Sequence, residues 1–128
     1  MGAGISISLR GGIRHLEFEQ PILTIEVLGR LCSKLGSLAD GGTTPMIVSS
    51  RHRSVFLAGA DLAEIEALDA HSCIEYAQRG RRAAELLASH PGPVVAAVGG
   101  SCSGGGFDLV LQTDTIVAAP QAVFQHPG

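Results

Sequence analysis

Along the first part of the chain, apolar and polar positions alternate. Ile5, Ile7 and Leu9 are separated by Ser6 and Ser8, the period of two expected of a strand. Gly11-Gly12 follows and suits a tight hairpin turn. Beyond it Arg14, Leu16 and Phe18 share one face and His15 and Glu17 the other, which predicts the returning strand, stopped by Pro21. The period then changes. Thr24 can cap a helix, Glu26 is favourable in its first turn, and Leu28, Leu31, Leu35 and Leu38 recur at helical spacing. That helix is expected to end near Asp40-Gly41-Gly42. Met46 to Ser50 reads as a short buried strand, and Arg51 to Ala60 as a loop. Asp61 is placed to cap a short helix over Leu62 to Leu68. Ser72 and Glu75 form an S-x-x-E capping box that opens a helix through Ser89, with Ile74, Ala77, Ala84 and Leu87 along one side. Pro91-Gly92-Pro93 ends it. Val94 to Val98 is a second buried strand, Gly99 to Gly106 a glycine-rich loop, and Phe107 to Gln112 a helix opened by that loop. Thr115 to Ala119 is a further strand. Elements recurring as strand, strand, helix predict an α/β fold.

Composition narrows the function. The 128 residues allow one domain with a modest core. Hydrophobic residues are 45% and charged residues 16%, which excludes a disordered tail. A formal net charge of -3, with no basic stripe, argues against a nucleic-acid partner. The longest stretch free of charged residues, Pro91 to Phe107, is broken by Pro and Gly and makes a poor membrane span. No charged segment followed by an apolar run opens the chain, so no secretory signal is expected. Cys32, Cys73 and Cys102 are odd in number and widely spaced, which suggests neither a disulfide framework nor a metal site. A reducing, cytoplasmic setting is expected. Aromatic residues are only 4%, so Val, Ile, Leu and Ala must build the core, and small side chains bury little area.

Candidate chemistry lies in two glycine-containing loops that each follow an apolar stretch. Glycines at a strand-to-helix turn let backbone N–H groups converge on a ligand atom. Gly104-Gly105-Gly106 has this form, although a close-packing turn has the same composition. A phosphate loop would need Lys and Ser or Thr after the glycines, where Phe107 and Asp108 stand. Taken with the loop from Phe56 to Leu62, it offers a second backbone donor. Two such donors can form an oxyanion hole.

These segments resemble the crotonase (enoyl-CoA hydratase/isomerase) superfamily. Phe56-Leu57-Ala58-Gly59-Ala60-Asp61-Leu62 is similar to its F-x-A-G-A-D-L segment. Pro93 to Gly100, continued by Gly104-Gly105-Gly106-Phe107-Asp108-Leu109, is similar to P-V-I-A-A-V-N-G-x-x-x-G-G-G-x-E-L. Asp114 to Ala118 resembles the D-x-x-I-A that follows. The resemblance implies a spiral of repeated strand-strand-helix units. It implies that residues 1–128 are the N-terminal part of a single domain, since members run to about twice this length. It also implies an acyl-CoA thioester as substrate, with coenzyme A as handle and no separate cofactor, and assembly as trimers or hexamers. Carried over by position, the N–H groups of Ala60 and Gly105 would form the oxyanion hole, and Ala58, Asp61 and Leu62 would line the path of the CoA moiety. Asp61 reads equally as a plain helix cap. Arg53 stands where it can meet a CoA phosphate or simply face solvent.

The departures concern the reaction. Asp108 replaces the family's Glu and is one methylene shorter, and Gly128 stands where a second Glu is expected. Hydration needs one group to activate water and another to handle the α-proton, so hydratase activity is not expected. Asp108 suits acid–base work alone, as in isomerisation or decarboxylation, or it merely complements a helix dipole. A non-catalytic acyl-CoA binder is the other alternative. His126 reads as a satisfied loop histidine, Cys102 as a packed residue without a His partner, and Arg79, Arg81 and Arg82 as a solvated helix face or an oligomer contact.

Overall fold

The computed structural model describes residues 4–126. The elements run β1 (Ile5–Arg10), β2 (Ile13–Phe18), α1 (Ile25–Leu38), β3 (Met46–Ser50), β4 (Val55–Leu57), α2 (Leu62–Glu66), α3 (Ala70–Ala88), β5 (Val94–Val98), β6 (Ser101–Ser103), α4 (Gly105–Val110), β7 (Thr115–Ala118) and β8 (Val123–Gln125). Strands β1-β2-β3-β5-β7 form one sheet and β4-β6-β8 another. The β1–β2 hairpin is antiparallel, in register from Ile5 opposite Phe18 to Arg10 opposite Ile13. Every other pairing is parallel. After the hairpin, each strand pair sends its first member to the larger sheet and its second to the smaller one. A helix or helix pair separates one strand pair from the next. This is the spiral of strand-strand-helix units that the sequence resemblance implies.

The three strands of the smaller sheet depart from the sequence expectation. Val55–Leu57 and Ser101–Ser103 lie inside segments read as loops, and Val123–Gln125 follows the last element expected. Each is three residues long. Three residues are too few to display an alternation, and what makes them strands is long-range pairing rather than local pattern.

The core lies between the larger sheet and the helices. Leu16, Phe18, Met46, Val48, Val94 and Ala96 of that sheet are buried, as are Val27, Leu28, Leu31 and Leu35 of α1. Leu38, expected on the same stripe, is half-buried at the C-terminal end of the helix. Thr24 caps α1 as expected, its side chain accepting from Val27 N at 3.1 Å.

Helix α3 corrects two expectations. Its N-cap is Asp69, whose Oδ1 accepts from Ser72 N at 2.8 Å while Ser72 Oγ accepts from Asp69 N at 3.0 Å. Ser72 is thus the last residue of the capping box, not its first. The buried face is Ala83, Leu86 and Leu87, with Tyr76 and Ala84 packed against it, whereas Ile74 and Ala77 are exposed. In the N-terminal half of α3 Tyr76 packs against the core while Ile74 and Ala77 are exposed, so these two do not report the buried side. Nor is Arg79 simply solvated. It donates from Nη1 to Ile25 O at 2.8 Å and pairs with Glu75, tying α3 to the start of α1. Helix α4 begins at Gly105, two residues before the expected start.

Candidate active site

Because β4, β6 and β8 are parallel neighbours, their C-terminal ends share one edge of the smaller sheet. That edge delivers Ala58 to Ala60 after β4, Gly104 to Asp108 after β6, and His126 after β8. The first loop is pinned from outside. Ala58 N donates to Pro21 O and Leu23 N donates to Gly59 O, each at 2.7 Å. Both bonds fall on Ala58 and Gly59. Among the described hydrogen bonds, the N–H of Ala60 has no acceptor.

The second loop is shaped by two glycines. Gly104 adopts φ 58° and ψ -132°, a conformation that only glycine enters without strain. A Cβ on Gly106 would collide with Leu57 Cβ, so α4 packs directly on β4. This brings the two loops together. A Cβ placed on Gly59 would sit 3.4 Å from Gly105 N. Gly105 is the first residue of α4, so its N–H has no acceptor within the helix, and none is described elsewhere.

Ala60, Gly105 and Asp108 line one cavity of about 290 Å³. Leu23, Leu28 and Leu109 give it apolar walls. Tyr76, which the sequence did not single out, also lines it. Its hydroxyl donates to Leu23 O at 2.6 Å, and burial, with Glu64 and Asp61 adding to it, pushes the phenol above its ordinary range. Tyr76 is therefore a neutral donor that fixes the Leu23 wall. Glu64 was also missed. Its Oε1 accepts from Ile25 N at 2.9 Å, which ties α2 to the start of α1. Both contacts span more than thirty residues of sequence and carry no local signal.

The other expected site residues sit apart from the cavity walls. Asp61 caps α2, accepting from Ala63 N at 3.0 Å. Ala58 is exposed beside the pinned loop, Leu62 is 76% exposed, and Arg53 lies on the surface. Cys102 is fully buried in β6, and burial alone pushes its thiol up to about 11. That is the opposite of a nucleophile's surroundings. His126 is satisfied, as expected, and its partner is Asp108: Nε2 and Oδ1 are 2.8 Å apart. Gly128 lies outside the described residues.

Residues 15–128 match the family model for enoyl-CoA hydratase/isomerase. The chain belongs to this family. It is 32% identical over 130 residues to "Probable enoyl-CoA hydratase echA6" of Mycobacterium leprae, covering 96% of this chain and 51% of that protein. It is 34% identical over 88 residues to the crotonyl-CoA hydratase of Syntrophomonas wolfei, covering 69% of this chain and 34% of that one. Among solved structures, an enoyl-CoA hydratase from Bacillus anthracis superposes with a TM-score of 0.88 at 25% identity, over 94% of this chain and 49% of that chain. The chain thus spans about half the length, or less, of these family members. The shared architecture is the crotonase fold.

Proposed function

We propose that this protein binds an acyl-CoA thioester and stabilises its enolate, with the N–H groups of Ala60 and Gly105 as the oxyanion hole. The observation that supports this most directly is two unengaged backbone donors, from two loops held against each other, on one cavity that also carries a carboxylate. A thioester oxygen seated there accepts from both donors. As the α-proton leaves, negative charge grows on that oxygen and both bonds strengthen, which lowers the barrier to enolate formation. The donors are parts of the backbone and need no reorganisation. Asp108, which lines the same cavity, is the proposed acceptor of the proton. Coenzyme A is the substrate's handle, and Ala58, Asp61 and Leu62, grouped at the mouth of the first loop, are its proposed path. The apolar walls suit an aliphatic acyl group.

Among the described residues a single carboxylate, that of Asp108, lines the cavity, which favours moving one proton within the substrate, as in double-bond isomerisation or decarboxylation, over hydration. Gly128 offers no second acid. Exchange of the α-protons of butyryl-CoA into D2O, followed by proton NMR, tests the shared step. Gly105→Pro removes one donor at a helix position that tolerates proline. It is expected to raise the barrier to exchange by about 3 kcal/mol. Exchange by this variant at the unmodified rate would exclude Gly105 from the hole. A protein that binds butyryl-CoA but exchanges nothing would be a binder without catalysis.

A further inference from the structure

The mechanism above leaves one feature of the site unused, the bond between Asp108 and His126. Both side chains are more than half exposed, 58% and 55%, and an exposed pair of this kind contributes little to stability. Yet three contacts build it. Gly104 N donates to Gln125 O at 3.2 Å, joining the start of α4 to the end of β8. Phe107, the neighbour of Asp108, packs its ring against Phe124 at 5.4 Å and against the His126 ring at 6.1 Å. The imidazole is thereby held over the residue that precedes the carboxylate. The bond engages Oδ1 alone, and Oδ2 has no partner among the described hydrogen bonds.

We propose that His126 is the positioning residue of the proton-accepting carboxylate of Asp108. The proposal rests on the acyl-CoA chemistry given above. His126 donates from Nε2 to Oδ1 and so fixes the carboxylate plane, leaving Oδ2 as the acceptor. In the step, the α-carbon–hydrogen bond breaks and its electron pair passes into the enolate. The proton goes to Oδ2, so the carboxylate loses its charge as the enolate gains one. A neutral imidazole serves as donor without opposing this. Asp108 is the titratable group in contact with the ring, and Tyr76 is the other titratable group lining the cavity.

The test is the rate of α-proton exchange with butyryl-CoA for the unmodified protein, His126→Ala and His126→Gln. His126→Ala should lose about tenfold or more. His126→Gln keeps an N–H donor, so it should recover most of that rate. If His126→Ala retains the unmodified rate, or if His126→Gln is as slow as His126→Ala, the assignment of His126 is wrong. If the unmodified protein exchanges and Gly105→Pro slows it, such a result removes His126 alone. If the unmodified protein exchanges nothing, both the enolate chemistry and the role of His126 fall together.

Discussion

Cys102 is the residue whose ionisation differs most clearly between the folded and unfolded chain. Its thiol lies wholly inside the smaller sheet, and its loss of a proton is pushed from 9.0 up to about 11 by burial. An unfolded chain binds fewer protons than the native one throughout that interval. The associated stability is complete below pH 9, then declines as pH rises toward about 11. Tyr76, raised above 10.0 for the same reason, extends the decline. Urea unfolding at a series of pH values should show the midpoint falling across this window, with a shallower fall in Cys102→Ala. A midpoint that stays level from pH 9 to 11 would show that the thiol is not held protonated by burial. Gly106 sets a steric limit at the same scale. Gly106→Val forces side-chain atoms into Leu57 and separates α4 from β4, at an expected cost of about 1–3 kcal/mol read from the same unfolding curves.

At the scale of elements, the boundary of α3 depends on Asp69, whose carboxyl is held below its ordinary range by the Ser72 N–H and hydroxyl. Asp69→Ala should lower the melting temperature above pH 4, and the difference from the unmodified protein should shrink as acid protonates the carboxyl. An unchanged melting temperature at pH 7 would mean that α3 is held by packing alone. The same helix shows what was legible in the chain. The S-x-x-E pattern located the start of α3 to within a turn, but not the residue that caps it. The hairpin and α1 follow from local period, because each is long enough to repeat it, and the strands at Met46 and Val94 follow from short apolar runs. The smaller sheet does not, and it positions the site. Ala60, Gly105 and Asp108 were nominated by their motifs, and the structure brings them to one cavity. Tyr76, Glu64 and the pairing of His126 with Asp108 arise from contacts between distant segments, which no window of sequence displays.

For the whole molecule, a low aromatic content and exposed apolar residues on the later strands bear on assembly. Val117 of β7 is 58% exposed and Val123 of β8 is 46% exposed, and Leu111, just after α4, is 55% exposed. Exposed apolar side chains favour association when they are covered by a partner, and we propose that the chain forms a homo-oligomer. Light scattering at micromolar concentration should report a mass well above 13.2 kDa, and a monodisperse species of that mass would contradict it. The proposed function turns on two backbone donors meeting one oxygen. The most direct measurement is the amide NMR spectrum during titration with crotonyl-CoA. The Ala60 and Gly105 resonances are predicted to move together toward lower field and to saturate at a common ligand concentration. Binding that leaves both amides unmoved would contradict the oxyanion hole.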